Sequence, residues 1–251
     1  MATADTPLLE LRGVSKAFGA VQALYRVDFE VRRGEVMALV GDNGAGKSTL
    51  IKSVVGIYPF DEGEVRYEGK HVNIHGPRDA AKLGIEVVYQ DLALCNNLTA
   101  SANVFLAREK MRGFGPFRIL DDRAMNERAR ELFDELKSET RPAEKVRMMS
   151  GGQRQAVAIA RTHLSRAKIV LMDEPTAAIS VRQVAEVLDL LRRLREQGMA
   201  VLLISHRMPD VFGVADRIVV LRRGHKVADK PIRESSPEEV TGLITGAIRA
   251  A

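Results

Sequence analysis

The chain has 251 residues, 45% of them apolar, and a formal net charge of +5; this length lies between one and two domains and supplies a sizeable core. A single cysteine, Cys95, excludes an internal disulfide framework and a multi-cysteine zinc site and fits a reducing compartment, with the cytoplasm as the expected location. Residues 1–7 lack a basic start with an apolar segment, and no run approaches the roughly 18–20 apolar residues of a membrane span, so neither a signal peptide nor a spanning helix is expected. The Asn97-Leu98-Thr99 sequon then has no route to glycosylation. The basic residues are dispersed, and the densest group, Arg192, Arg193 and Arg195, falls near the end of an expected helix, where cations complement the dipole. The charge is therefore weak support for a nucleic-acid or lipid partner.

In chain order, Val27, Phe29 and Val31 alternate with Asp28 and Glu30, the period of a strand with one wet face, and Arg33-Gly34 turns the chain. An antiparallel layer is expected there. VMALV (36–40), IVLM (169–172) and VLLI (201–204) are continuous apolar runs, as in parallel strands covered on both faces. Helical patterns follow: Leu50, Ile51, Val54 and Val55 stopped by Gly56, and Val184, Val187, Leu188, Leu191 and Leu194 stopped by Gly198. This alternation predicts an α/β core with a mainly parallel sheet. Between residues 91 and 164 no buried strand run appears, and Met125, Ala129, Leu132, Phe133 and Leu136 stand at helical spacing, which predicts an inserted helical subdomain with Gly113 to Pro116 as its exposed loop. The core is then 1–90 with 165–251. IVVL (218–221), Arg222-Arg223-Gly224-His225 and KVA read as a hairpin, followed by a short helix from about Pro237. No internal repeat is visible.

Gly41-Asp42-Asn43-Gly44-Ala45-Gly46-Lys47-Ser48, with Thr49 next, matches G-x-x-x-x-G-K-[ST] between a buried strand and an amphipathic helix, the context that motif requires. Its glycines let backbone N–H groups wrap a β-phosphate, Lys47 reaches the β/γ oxygens, and the Ser48 hydroxyl takes a place on Mg²⁺. Asp173 and Glu174 end a buried strand, at the sheet edge that α/β proteins use for ligands. There Asp173 binds Mg²⁺ through water and Glu174 polarises the attacking water, although acids after a strand also serve as helix caps. Gln90 and His206 follow the expected strands IEVVY and VLLIS and can touch Mg²⁺, water or γ-phosphate. His71, His75, His163 and His225 lack the companion ligands of a metal site.

MMSGGQRQ (148–155) raises a further question, because it is a second phosphate-suited helix start. Ser150 and Gln153 form an S-x-x-Q capping box, and Ala156, Val157, Ile159 and Ala160 give the helix a buried face. Its N–H groups and dipole favour an anion by roughly 0.3–1 kcal/mol at an exposed site; alternatively, Gly151 and Gly152 only permit a tight approach to the helix.

Taken together in this order, the phosphate loop, Gln90, MSGGQ (149–153), IVLMDE (169–174) and His206 resemble the nucleotide-binding subunit of an ATP-binding cassette (ABC) transporter. The resemblance covers nearly the whole chain. It implies a P-loop NTPase core, ATP and Mg²⁺, and two cassettes facing head to tail, with Ser150, Gly151, Gly152 and Gln153 of one closing on the γ-phosphate held by Gly41, Asn43, Gly44, Ala45, Gly46, Lys47, Ser48 and Thr49 of the other. Gln90 and His206 join Lys47 and Glu174 in the catalytic set, and Ser48, Gln90 and Asp173 form the metal set. Met149 replaces the usual leucine, a tolerated apolar exchange. Phe18, in KAFG, matches the family's adenine platform, a role worth roughly 1–3 kcal/mol by stacking in comparable sites; it is equally readable as a core residue. One departure stands out: Ala177-Ala178-Ile179-Ser180 replaces the usual Ser-Ala-Leu-Asp. Ser180 with Gln183 keeps a capping box, but the carboxylate that helps join the two sites is absent.

Residues 88–109 and 240–247 are similar to importers of the ribose, xylose and fructose group. The implied protein is an ATPase peripheral to the cytoplasmic face of the cell membrane, partnered by a second cassette, by permease subunits and, indirectly, by a periplasmic sugar-binding protein. The rival reading is a cassette ATPase acting on nucleic acid or ribosomes, whose coiled-coil insertion, zinc cysteines or charged linker are missing. A non-hydrolysing nucleotide sensor is disfavoured by the intact Lys47, Ser48, Asp173, Glu174 and His206.

Overall fold

The computed structural model describes residues 6–165, 167–177 and 179–248. Most of the Met1–Pro7 stretch, and Ala178 within the Ala177–Ser180 departure, lie outside the described residues.

The elements in chain order are β1 (Leu9–Phe18), β2 (Val21–Val31), β3 (Val36–Val40), α1 (Lys47–Val54), β4 (Glu62–Tyr67), β5 (Lys70–His71), α2 (Pro77–Lys82), β6 (Ile85–Val88), α3 (Ala100–Val104), β7 (Met111–Arg112), β8 (Ile119–Leu120), α4 (Asp122–Glu135), α5 (Gly151–Leu164), β9 (Ile169–Asp173), α6 (Val181–Glu196), β10 (Ala200–Ile204), α7 (Met208–Val214), β11 (Arg217–Arg222), β12 (His225–Pro231) and α8 (Pro237–Thr245). They form a six-stranded sheet in the order β12-β11-β3-β10-β9-β6, a four-stranded sheet β2-β1-β4-β5 and the small hairpin β7-β8. The ladder from β11 to β6 is parallel. β12 closes one edge antiparallel.

The apolar runs are continuous because both faces of this sheet are covered. Val36, Ala38 and Val40 pack on one side with Val170, Val201 and Ile218, and the helical segment joins the same core through Met125, Leu132, Phe133 and Val157. Met37 and Leu39 face the other way, into a core shared with Leu50, Ile51 and Val54 of α1 and with Leu9, Leu11, Phe29 and Val31 of the antiparallel sheet. Strand periodicity thus sorts alternate residues of one strand into two cores. IVVL belongs to the parallel sheet as β11, a membership that the local hairpin signal did not reveal.

In segment 91–164, the helical spacing becomes α4, with Met125, Ala129, Leu132 and Phe133 buried and Asp121 capping it through a bond from the Ala124 N–H. The stretch from Gly113 to Pro116 turns the β7-β8 hairpin, where a short 3-10 helix begins at Gly115.

Candidate functional site

Parallel strands send all their C-terminal ends to one edge. β3 leads into the phosphate loop, β10 into Ser205-His206, β9 into Asp173-Glu174 and β6 towards Gln90. β3, β10, β9 and β6 are also consecutive in the sheet. The register aligns their ends, with Ile204 opposite both Leu39 and Asp173, and Val88 opposite Met172. Topology alone therefore gathers four chemically active segments separated by up to about 160 residues of chain, and they line one cavity of about 610 Å³.

The loop is built by backbone. Gly41 has φ +155°, and a side chain there would land on the Leu221 carbonyl; Gly46, at φ +106°, would drive one into the Ala23 carbonyl. Neither position accepts a Cβ without moving main chain, which is how the glycine spacing encodes the loop. Lys47 Nζ donates to the carbonyls of Gly41 at 2.7 Å and Asp42 at 2.9 Å, folding the ammonium over its own loop. Burial holds the Lys47 pKa below the ordinary lysine range, partly opposed by Glu174, Asp42 and Asp173. Asp173 moves the other way: burial raises its pKa, the Glu174 charge raises it further, and Lys47 opposes.

Glu174 sits at φ +51°, in the left-handed region that non-glycine residues seldom adopt. Its N–H donates to the Ile204 carbonyl at 2.9 Å, and its carbonyl accepts from the Ala177 N–H at 3.1 Å. One carboxylate oxygen, Oε1, accepts from His206 Nδ1 at 2.9 Å. The other, Oε2, is buried without a hydrogen-bond partner. A strained backbone with an unsatisfied acceptor in a cavity marks a group arranged for a ligand rather than for stability. Phe18 stands at the cavity rim, 42% exposed, its ring held edge-to-face against Tyr58 with centroids 5.0 Å apart. That exposure decides against the core reading.

The MSGGQ helix start is as expected. The Gln153 N–H donates to Ser150 Oγ at 3.3 Å, and the Ser150 N–H to Gln153 Oε1 at 2.9 Å. It lines a different cavity of about 580 Å³. The capping box of Ser180 and Gln183 opens into that same cleft, so two helix N-termini converge there. Gly151 abuts Ile179 and Gln183, and Gly152 abuts the Glu186 carboxylate, so these glycines are bounded by side chains of α6 and of Ile179 just before it, and not by main chain. Ser150, Gly152 and Gln153 are thus not brought together with the phosphate loop, and among the described residues none lines both cavities.

Sequence reasoning missed a positioning pair. Thr176 Oγ1 donates to Asp210 Oδ2 at 2.6 Å, both residues being buried. Arg207 adds an ion pair to Asp210 at 3.3 Å. The bond ties the turn after Glu174 to the helix after His206. A Thr and an Asp 34 positions apart carry no local signal of this contact.

Comparison with known proteins agrees with the geometry. Residues 24–177 match the family model described as ABC transporter. The chain is 48% identical over 95% of its length, and 94% of the relative's, to a xylose/arabinose import ATP-binding protein of Sulfolobus acidocaldarius. It is 44% identical over 97% of its length, and 96% of the relative's, to a fructose import ATP-binding protein of Rhizobium meliloti. Its fold superposes with TM-score 0.71 and 26% identity, covering 90% of this chain and all of the other, on a dimeric post-hydrolysis ATP-binding cassette bound to ADP and Pi. A P-loop NTPase core whose strand edge presents the phosphate loop, Asp173-Glu174 and His206 accounts for that agreement, and the chain belongs to the ABC transporter family as one of its ATP-hydrolysing cassettes.

Proposed function

We propose that this cassette powers a monosaccharide importer, working as one of two copies or sister subunits beneath membrane-spanning permeases at the cytoplasmic face. The observation that carries the reading is the separation of the two phosphate-suited helix starts. The phosphate loop has Lys47, Asp173, Glu174 and His206 beside it; the Ser150 helix start has donors and a dipole, and its cleft contains none of those four residues and no histidine. Each half supplies what the other lacks only when two cassettes meet head to tail. The dimeric cassette with ADP and Pi supports this arrangement, and the relatives named for xylose/arabinose and fructose import support the sugar class.

In this reading the N–H groups of Gly44 to Thr49 and the Lys47 ammonium hold the β- and γ-phosphates, and Phe18 stacks the adenine. Ser150, Gly151, Gly152 and Gln153 of the facing cassette close on the γ-phosphate. Ser48, Gln90 and Asp173 offer oxygen donors, which suit a hard cation of the magnesium type. Among the described residues no cluster of three or more His, Cys, Asp or Glu could hold a metal alone. Bound Mg²⁺ supplies neutralisation of phosphate charge. Glu174 accepts the proton of the attacking water as the bond from the γ-phosphorus to the bridging oxygen breaks. His206, bonded to Glu174, orients that carboxylate and reaches the γ-phosphate. The α/β core, 1–90 and 165–251, binds nucleotide, and segment 91–164 passes closure to the permeases. No described helix is long and apolar enough to cross a membrane.

The test is the Glu174→Gln variant purified in mild detergent with whatever it binds. Hydrolysis is expected to fall by about 10²–10⁴, with ATP retained, cassette pairs accumulating, and integral permease subunits co-purifying. Undiminished turnover overturns the assigned base; RNA or ribosomal proteins in place of permeases overturn the transport reading.

A further inference from the structure

Among the described residues the β7-β8 hairpin presents a run of apolar side chains for which neither the catalytic cycle nor the core provides a use. Phe114 is 92% exposed and Phe117 82% exposed, and Met111, Ile119 and Leu120 beside them are also exposed. Isolated exposed apolar residues are ordinary, but a run of five on one short projection is a contact surface. The pairing of Met111 with Leu120 and of Arg112 with Ile119 gives both faces of the ribbon an apolar member, so neither face can be turned inward to hide it. The Phe117 N–H donates to the Phe114 carbonyl at 3.2 Å, which fixes the two rings within one turn at the tip.

Charge decides the occupant. Glu109, Asp121 and Asp122 lie at the base of the hairpin, but from Lys110 to Leu120, which includes the tip, the chain carries Lys110, Arg112 and Arg118 and no acidic residue. Aromatic rings at a tip collared by arginine and lysine have the composition of an interfacial membrane anchor: rings enter the headgroup boundary while long cationic stems keep their charges among anionic headgroups. A cytoplasmic permease loop is the poorer complement, because such loops carry an excess of Lys and Arg and repel a cationic ribbon. We propose that the β7-β8 hairpin is a lipid-contacting element that seats Phe114 and Phe117 in an anionic bilayer surface. This rests on the reading that the cassette works at a membrane.

The chain contains no tryptophan, so Phe114→Trp gives a single reporter at the tip of the full-length protein. On vesicles of phosphatidylglycerol and phosphatidylcholine its emission is expected to shift to the blue, and on pure phosphatidylcholine to remain unchanged. Adding Arg112→Ser and Arg118→Ser is expected to weaken vesicle partitioning about tenfold or more. In the otherwise native chain, Phe114→Ser with Phe117→Ser is expected to abolish co-sedimentation with anionic vesicles while basal ATPase is kept. Absence of a shift on anionic vesicles at low salt, equal binding to neutral vesicles, or loss of permease co-purification in the serine double variant each overturns the proposal, the last by assigning the tip to protein. These outcomes leave ATP hydrolysis untouched and are therefore distinct from failure of the transport reading, which shows in turnover and in the identity of co-purified subunits.

Discussion

The phosphate loop and the Ser150 helix start, both proposed to hold phosphate, are built in opposite ways. At the first, the glycines are required by main chain: Gly41 and Gly46 lie against the Leu221 and Ala23 carbonyls at positive φ. At the second, Gly151 and Gly152 are helical and are bounded by the side chains of Ile179, Gln183 and Glu186. The first cradle is a rigid shape that exists before any ligand arrives. The second is a capped helix end in a cleft, whose glycines are bounded only by side chains that can move. A half-site that must meet a partner repeatedly gains from being open; a site that must hold a triphosphate gains from being preformed.

The sharpest way to break this comparison is to add one methyl group to each. Gly41→Ala is expected to destabilise the fold by about 2–4 kcal/mol and to abolish ATP binding measured by fluorescent-nucleotide titration. Gly152→Ala is expected to leave the unfolding midpoint nearly unchanged, because the gain in helix propensity, about 0.5–1 kcal/mol, offsets a shift of the flexible Glu186 end. It should bind ATP normally yet slow hydrolysis, since the methyl displaces the Glu186 carboxylate in the cleft that the facing cassette is proposed to enter. Equal damage to stability and binding in both variants would refute the distinction between a shape-bearing and a partner-bearing glycine.

A smaller effect sharpens the same contrast within the second cleft. Ser150 and Ser180 are both N-caps, accepting from Gln153 and Gln183 N–H at 3.3 and 3.4 Å. Either serine-to-alanine change is expected to cost about 1 kcal/mol, or about 2–4 °C of melting midpoint for a chain of this size. Activity should separate them: Ser150→Ala slows steady-state hydrolysis because its hydroxyl is also proposed to reach the partner's nucleotide, whereas Ser180→Ala keeps the rate. If both slow turnover equally, Ser180 has taken over part of the duty of the aspartate usual at that place.

What could be read from sequence follows from this difference in construction. A loop dictated by main-chain contacts leaves glycines at fixed spacing, so residues 41–48 were legible, as were the capping boxes and the continuous runs of β3, β9 and β10. β1 was not, because shifts in register between Leu11 and Val14, and again up to Ala17, interrupt its alternation. The β7-β8 ribbon was hidden for a different reason: each strand has two residues and the apolar side chains point to solvent, the reverse of the pattern that a strand search recognises. The lock between Thr176 and Asp210, and the convergence of the Ser150 and Ser180 helix starts, depend on packing between distant segments, which local periodicity does not encode.

The smallest expected effect concerns the cost of keeping the first cradle charged. Asp173 has its pKa raised in the folded protein, by burial first and by Glu174 second, so at neutral pH the folded state holds an ionised carboxylate that the unfolded chain solvates better. The sign follows: this destabilisation is fully present above the folded pKa and disappears as the pH falls through it towards the ordinary carboxylate range. Asp173→Asn is therefore expected to raise the urea midpoint of the nucleotide-free protein modestly at pH 7, with the difference from the native chain closing in acid, while ATP hydrolysis is lost. In the Ser150 cleft the Glu186 carboxylate is half exposed and water can solvate it, so Glu186→Gln there is expected to give no such pH-dependent gain. A neutral-pH gain of equal size at both positions would mean that charge is stored in the two clefts alike, and that the phosphate loop is not the only half of the pair to give up stability for its chemistry.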